Sequence, residues 1–213
     1  ETLTKSYPNE ALLYNISGAC FAGLGQLDNA LKSYEQALAI KPDYAEVHYN
    51  LGVTLQELGQ LDAAIKSYEQ ALAIKPDYAD AYINLGNTLR DLNQLDAAIK
   101  NYKQALAIKP DYAEAHNNLG NALNDLGQLD EAVKCFKQAL AIKPDYAEAH
   151  NNLGVTLQEL RQLDAALVSF ERALVLKPDI NFLLGQSLLS KMTLCLWDDL
   201  PNRLNELTKK INN

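Results

Sequence analysis

The chain repeats itself every 34 residues, and this period constrains its fold more than any other feature. The tripeptide Lys-Pro-Asp recurs at this interval, as does Gln-Leu-Asp, which first begins at Gln26. Lys-Pro-Asp begins at Lys41, Lys75, Lys109, Lys143 and Lys177. A catalytic domain brings unlike residues together once, whereas an array copies one surface many times. The period therefore predicts a repeat scaffold with an extended binding surface, and it does not identify the ligand.

Composition excludes several classes of protein. Hydrophobic residues make up 48% of the chain, which is enough for a packed core, and the net charge of −8 disfavours nucleic acid as a partner. No run approaches the roughly 18 apolar residues that a membrane helix needs, so we expect no membrane partner and a cytoplasmic location. Because the chain opens on Glu1, we expect it to be a piece of a longer protein.

One repeat, residues 45–78, predicts a helix–turn–helix. Asp43 and Glu46 resemble a capping box at the start of the first helix. Gly59 is expected to end that helix in the left-handed conformation. Asp62 is expected to cap or open the second helix, and Pro76 to end it. Apolar stripes at helical spacing are predicted to face the core: Val47, His48, Leu51 and Leu55 in the first helix, and Ala64, Ile65, Tyr68, Ala71, Leu72 and Ile74 in the second.

Small residues occupy fixed positions in every copy. Gly52, Ala64 and Ala71 recur in all five repeats, where they let the two helices approach closely around Tyr68. A single hairpin of this size cannot bury its apolar faces. Neighbouring hairpins are therefore expected to stack.

The pattern resembles the tetratricopeptide repeat, which it matches at His48, Leu51, Gly52, Leu55, Ala64, Tyr68, Ala71 and Pro76. The resemblance implies an all-α, right-handed superhelical solenoid of helix–turn–helix repeats. Five repeats would cover residues 11–44, 45–78, 79–112, 113–146 and 147–180, with residues 1–10 ending a preceding repeat and residues 181–213 forming C-terminal capping helices. Asn93 and Arg161 replace the turn glycine, and Arg161 is expected to strain its turn.

An asparagine column runs along the first-helix side opposite the packed stripe, the side that lines the concave groove in tetratricopeptide arrays. Asparagine is an average helix former, so its recurrence in mid-helix needs a reason. Carboxamides donate and accept, and could hold the backbone of an extended peptide. The alternatives are that they bond to neighbouring repeats, or that duplication copied them. The column comprises Asn50, Asn84, Asn118 and Asn152, and the predicted peptide-binding set also includes Asn87, Asn117, Asn121 and Asn151.

Two rows of carboxylates flank this column. The row Glu46, Asp80, Glu114 and Glu148 suits the helix dipole at a first turn. Two interpretations stay open for the second row, contact with a ligand and solvation alone. This row comprises Glu57, Asp91, Asp125 and Glu159. The Lys and Arg clamp of chaperone-binding cochaperones is absent, so the predicted partners are neutral or basic extended segments of proteins.

No residues indicate catalysis. His48, His116 and His150 share a core column and are predicted to be interior fillers. Cys20, Cys135 and Cys195 are expected to be buried small hydrophobes. There is no phosphate loop, nucleophile elbow or metal-ligand spacing, so the sequence predicts neither an active site nor a cofactor.

The repeat breaks after Pro178, and two functions stay open there. Phe182, Leu183, Leu188, Leu189 and Met192 predict a helix docked on the fifth repeat, and a second helix is predicted from Asp198 or Asp199. Both helices could form the polar-faced cap that the end of a repeat array requires. Residues 182–198 also resemble the segment that joins repeats to catalytic lobes in bacterial O-linked N-acetylglucosamine transferase-like proteins, whose repeats carry asparagine ladders.

The chain is accordingly predicted to be a protein- or peptide-binding scaffold. The alternative is the substrate-recruiting region of such a glycosyltransferase, whose catalytic domain would lie outside this chain. A designed consensus array fits the near-identical copies, but the irregular ends argue against it.

Overall fold

The computed structural model describes residues 9–178, 181–194 and 208, and the side chains of 181–184 are not among the described groups. Eleven helices and no strand lie within these residues. The helices are α1 Ala11–Gly23, α2 Leu27–Ile40, α3 Ala45–Glu57, α4 Leu61–Ile74, α5 Ala79–Asp91, α6 Leu95–Ile108, α7 Ala113–Asp125, α8 Leu129–Ile142, α9 Ala147–Glu159, α10 Leu163–Leu176 and α11 Asn181–Thr193.

The helices group into two compact units, Glu1–Pro110 with α1–α6 and Asp111–Asn213 with α7–α11. Within each unit, the first helix of a repeat packs against its own second helix, and that second helix packs against the first helix of the next repeat. First helices of neighbouring repeats are also in contact: α1 contacts α3, and α7 contacts α9. This contact between consecutive first helices is called the seam below. The predicted fold class, an all-α helical repeat solenoid, is confirmed.

A glycine facing an aromatic ring brings the two helices of each repeat together. A Cβ placed on Gly52 in α3 would lie 2.6 Å from Cε1 of Tyr68 in α4. The Tyr68 side chain is fully buried, and so are the flanking Ala64 and Ala71. The same arrangement recurs at Gly18–Tyr34, Gly86–Tyr102, Gly120–Phe136 and Gly154–Phe170. The prediction that small residues permit close helix approach is confirmed.

Each turn between paired helices is closed by a residue with positive φ. Gly59 has φ of 73°, and the Gln60 amide donates to the Leu55 carbonyl at 2.9 Å, the bond that defines a Schellman turn. Asn93 and Arg161 adopt the same conformation with φ of 58° and 61°. Both replacements of the turn glycine therefore keep its backbone conformation, which asparagine tolerates better than arginine does.

The capping-box prediction at Asp43 and Glu46 is wrong. The N-cap of α3 is Tyr44, and no side chain caps the helix. The Tyr44 carbonyl accepts from the amides of Val47 and His48 at 3.0 and 3.1 Å. Glu46 therefore falls at the second helical position, one residue short of the position that a capping box requires. Asp62 likewise lies in the first turn of α4, behind Gln60 as N-cap.

Several side chains predicted to be interior are partly or fully exposed. His48 is half-buried, and its Nε2 lies 2.9 Å from the Pro42 carbonyl oxygen; His150 makes the same contact with Pro144 at 3.0 Å. These imidazoles bond to the preceding loop at the edge of the core. Cys20 is exposed and Cys135 is half-buried. Ile74 at the end of α4 is also exposed.

A helix does follow the fifth repeat, and it packs against α10. Leu188 is buried, whereas Leu189 and Met192 are exposed. The second predicted helix, Trp197 and Cys195 lie outside the described residues, as does Pro8 in the predicted preceding repeat.

Candidate functional site

The asparagine column lies near the middle of the first helices of four repeats. Asn50 is in α3, Asn84 in α5, Asn118 in α7 and Asn152 in α9. All four side chains are half-buried. Part of each side chain is therefore open to solvent.

Three members of the column donate hydrogen bonds across this seam. Asn50 Nδ2 donates to Asn15 Oδ1 at 3.0 Å, and Asn84 Nδ2 donates to the Tyr49 hydroxyl at 3.0 Å. In the second unit, Asn152 Nδ2 donates to Asn117 Oδ1 at 3.1 Å. The acceptor in each case lies 35 residues earlier, on the first helix of the preceding repeat. The amides thus join neighbouring repeats, which was one of the alternatives open from the sequence.

The seam uses only part of the hydrogen-bonding capacity of these amides. A primary carboxamide has two N–H donors and an oxygen with two lone pairs. Each seam bond of Asn50 and Asn84 takes one N–H. Contact with a ligand through the other N–H or through Oδ1 therefore stays a prediction, compatible with the seam.

The remaining predicted asparagines differ in exposure and in bonding. Asn117 is 5% exposed, and its Oδ1 accepts the seam bond, so its side chain serves the helix contact. Asn87 and Asn121 are half-buried, and Asn87 Oδ1 accepts from the Tyr102 hydroxyl at 2.8 Å. Asn151 Nδ2 donates to Asn152 Oδ1 at 3.4 Å, while Asn151 Oδ1 is buried and has no partner.

A column of buried hydroxyls beneath the asparagines was missed by sequence reasoning. Thr54 Oγ1 donates to the Asn50 carbonyl at 3.0 Å, and Thr88 Oγ1 donates to the Asn84 carbonyl at 2.8 Å. Thr156 Oγ1 lies 2.9 Å from the Asn152 carbonyl and 2.8 Å from Asn124 Oδ1. A threonine four residues after each of these asparagines was the available signal, because such a hydroxyl reaches the carbonyl one turn back.

Both carboxylate rows are exposed throughout. Glu148 forms an ion pair with Lys177 at 2.9 Å, and both side chains are more than half exposed. An exposed pair of this kind contributes little to stability. The rows therefore leave a surface of predominantly negative charge beside the asparagine column.

Half-buried tyrosines near the acids are held in the neutral form. Burial, together with the neighbouring Tyr49, Asp80 and Glu46, raises the pKa of Tyr78 to about 12. Burial, Glu148 and Glu114 raise the pKa of Tyr146 to about 12. Burial is the largest cause for both side chains, and nearby negative charge adds to it. Both hydroxyls thus stay protonated, able to donate, far above neutral pH.

Aromatic rings cluster next to the asparagine column in the first unit. The centroid of Tyr49 lies 4.9 Å from that of Tyr78 and 6.1 Å from that of Tyr68. The ammonium of Lys75 lies 4.6 Å from the centroid of Tyr78. Because Tyr49 also accepts from Asn84, the cluster fixes the seam between the second and third repeats. The lysine of the repeated Lys-Pro-Asp covers a tyrosine in the same way at Lys41–Tyr44 and Lys143–Tyr146.

The described part of the chain contains no group of three or more His, Cys, Asp and Glu side chains that could hold a metal ion. Nor does it contain a helix with both the length and the apolar character that crossing a bilayer requires.

Comparison with known proteins gives one curated relative over a short segment and several similar solved structures. A segment of 47 residues is 36% identical to the peroxisomal targeting signal receptor of Kluyveromyces lactis, and it spans 22% of this chain and 8% of that receptor. Among solved structures, YrrB, a TPR protein with an unusual peptide-binding site, is 25% identical with a TM-score of 0.71, over 86% of this chain and 95% of YrrB.

Two further structures support the fold. The MamA protein is 26% identical with a TM-score of 0.71, over 79% of this chain and 92% of MamA. The pilF protein of Pseudomonas aeruginosa, at 18% identity, has a TM-score of 0.83 over 93% of this chain and 90% of its own, a likeness of fold alone. A TPR repeat model matches residues 21–59, 55–89, 86–127 and 120–160, and a tetratricopeptide repeat model matches residues 147–180. These matches cover well over half of the sequence, and the chain belongs to the tetratricopeptide repeat family.

Proposed function

We propose that this chain is a protein-interaction scaffold that binds an extended peptide segment along the asparagine side of its first helices. The observation that carries the proposal is the half-buried asparagine column, in which Asn50 and Asn84 each donate one N–H to the preceding repeat. An extended backbone presents alternating N–H and C=O groups, which match the remaining donor and acceptor of a carboxamide. The peptide-binding site named for YrrB and the targeting-signal receptor among the relatives are consistent with this role.

The exposed carboxylates determine the charge of the proposed partner. Eight acidic side chains in two rows flank the column: Glu46, Asp80, Glu114 and Glu148 in one, and Glu57, Asp91, Asp125 and Glu159 in the other. A ligand with negative charge would be repelled by them, whereas a neutral or basic segment would be tolerated or attracted. The proposed partners are therefore neutral or basic extended segments.

The affinity of one such segment is expected to be low. Each hydrogen bond contributes about 0.5–1.5 kcal/mol net, and ordering a flexible ligand opposes binding. A row of equivalent amides suits a partner that uses several contacts at once.

The test uses peptides selected from a phage-displayed random library on the full chain, with affinity measured by fluorescence anisotropy. Replacing the whole asparagine column with alanine is expected to abolish binding. A matched control removes the seam acceptors instead: Asn15→Ala with Tyr49→Phe breaks the bonds of Asn50 and Asn84 but leaves both carboxamides in place.

Retention of binding by this control, together with loss in the column variant, supports direct contact. Equal loss in both variants would reduce the amides to a structural role. Selected peptides that are acidic, and that bind as tightly as basic ones, would contradict the proposed charge preference.

The glycosyltransferase alternative stays a prediction that rests on the resemblance of residues 182–198. The gene sequence after Asn213 tests it, because a catalytic domain would follow there as several hundred residues of α/β pattern.

A further inference from the structure

Helix α11 keeps the register of the repeats although its sequence departs from theirs. Gln186 follows Asn152 by one repeat period and so stands in the asparagine column. Four residues later, the fully buried Ser190 donates from Oγ to the Gln186 carbonyl at 3.0 Å. Thr156 makes the equivalent bond to the Asn152 carbonyl at 2.9 Å. By position, burial and bonding, α11 matches the first helix of a repeat.

Two buried side-chain oxygen atoms, one on α9 and one on α11, accept no hydrogen bond. They are Asn151 Oδ1 and Gln186 Oε1. The seam bonds elsewhere join each column residue to the residue 35 positions earlier, as Asn152 is joined to Asn117, and the same offset relates Gln186 to Asn151. The oxygen and nitrogen of a terminal amide have nearly the same shape. Turning over the Gln186 amide therefore converts two orphan acceptors into a donor and an acceptor.

A cleft of about 570 Å³ opens beside this position, between α9 and α11. At the column that holds Asn87 and Asn121 in other repeats, it presents Val155 and Leu189. Leu189 is 51% exposed. The residues lining the cleft are Val155, Gln158, Glu159, Arg161, Leu163, Gln186, Leu189 and Thr193.

The polar groups that line the cleft do not favour a ligand of either charge. Glu159 and Arg161 bring opposite charges to it. The Thr193 hydroxyl donates to the Leu189 carbonyl at 2.8 Å. Val155, Leu163 and Leu189 form the apolar part of the lining, which an uncharged aliphatic group can contact.

We propose that α11 extends the asparagine side as a sixth first helix, through a Gln186–Asn151 hydrogen bond, and that this cleft receives an aliphatic side chain of the bound peptide. The inference rests on the proposed function, since the same extended segment would supply the side chain. An aliphatic group in contact with Val155 and Leu189 leaves water and leaves no polar atom unpaired. A peptide would thus be held by amides along the repeats and anchored by one apolar residue at α11.

The hydrogen bond is tested by nuclear magnetic resonance of the Gln186 side-chain amide in the full chain. Asn151→Leu is expected to shift that amide resonance and to speed its hydrogen exchange, because its acceptor is removed. An unchanged resonance and exchange rate would overturn the sixth-helix assignment.

The cleft is tested with the peptides selected from the random library. The double variant Val155→Asn with Leu189→Asn restores the side-chain type of the neighbouring repeats, and we expect it to weaken the binding of peptides with an aliphatic residue at least about tenfold. Replacing that peptide residue with serine should give a similar loss, and combining both changes should add little more. Val168→Asn on the 67% exposed site in α10 is the matched control, with affinity unchanged.

The outcomes separate the two proposals. If the asparagine-column variant loses binding while the double variant keeps it, the cleft inference is wrong and the proposed function stands. If no library peptide binds the intact chain, both are wrong.

Discussion

Replacing Gly52 with alanine tests the contact that sets the distance between paired helices. The new Cβ would lie 2.6 Å from Cε1 and 2.7 Å from Cδ1 of Tyr68, whereas carbon atoms pack at about 3.5–4.0 Å. One of the two helices must therefore move by about 1 Å, since the Tyr68 ring is fully buried in a close-packed core. Overpacking of this kind costs about 1–3 kcal/mol.

Alanine also favours helix over glycine by about 1 kcal/mol, which offsets part of that cost. Because the overlap is with a ring inside a packed core, we expect the upper part of the range and a net loss of about 1–2 kcal/mol in the free energy of unfolding. For a chain of this size, that corresponds to a fall in Tm of roughly 2–8 °C. Urea unfolding followed by circular dichroism gives the free energy, and amide hydrogen exchange in α3 and α4 localises the effect.

Gly23→Ala is the matched control, because a Cβ at this helical glycine meets nothing within 4 Å. It should leave stability unchanged or raise it slightly. In a Tyr68→Ala background, which destabilises on its own, the cost of Gly52→Ala should disappear. Equal stability of the Gly52 and Gly23 variants would refute the packing argument.

Three further predictions concern the turns, the tyrosines and the seam. Arg161→Gly should raise the free energy of unfolding by about 1 kcal/mol and Gly127→Arg should lower it by a similar amount, because both sites have positive φ. Urea unfolding measures both changes, and two changes of the same sign would contradict the prediction. Burial, followed by Cys20 and Glu57, raises the pKa of Tyr34 from 10.0 to about 12, so the folded state keeps this proton where the unfolded state loses it. The stability that this proton contributes should therefore be fully present below pH 10 and be lost as the pH rises from 10 to 12. In a thermal-melting pH series, Tyr34→Phe should make this fall shallower. An unchanged slope would contradict the assignment of the fall to Tyr34. Asn152→Ala should lower the free energy of unfolding by about 1–2 kcal/mol, because it leaves the buried acceptor Asn117 Oδ1 without a donor. Asn50→Ala should lower it by less than about 1 kcal/mol, because its acceptor on Asn15 is half-buried. Equal losses measured by urea unfolding would show that burial of the acceptor does not matter.

Contacts inside one repeat could be predicted from the sequence because they recur in every copy. The Gly52 column is glycine in every repeat and the Tyr68 column is Tyr or Phe, so a small residue facing a large ring could be predicted from the pattern. The turn residues were equally predictable: Asn93 and Arg161 replace a glycine, and both keep its positive φ. A backbone requirement of this kind follows from the turn, whichever residue occupies it.

The start of each first helix could not be predicted to the residue. The spacing of Asp43 and Glu46 fits a capping box, but the helix begins at Ala45 with Tyr44 as its N-cap. A shift of one residue decides whether a side chain reaches an unpaired amide, and hydrophobic periodicity does not locate a helix end that closely.

The partners of the asparagines depend on the stagger between repeats, which the sequence does not encode in any local pattern. Periodicity places Asn50 on the side of its helix away from the packed stripe, but its acceptor Asn15 lies 35 residues away on another hairpin. The position of Gln186 was hidden for a different reason. Leu188 stands where the repeats have the packing glycine, so the motif ends there while the helical register continues.

The central claim, that the asparagine side of the first helices binds an extended peptide, is tested most directly by titrating a selected peptide into the isotope-labelled chain. The measurement is the chemical shift of each asparagine side-chain amide. We predict saturable shifts at Asn50, Asn84, Asn118 and Asn152, with the backbone amides of the second-helix residues Lys32, Lys66 and Lys100 unaffected. Shifts confined to the second helices, with the asparagine amides unmoved, would contradict it.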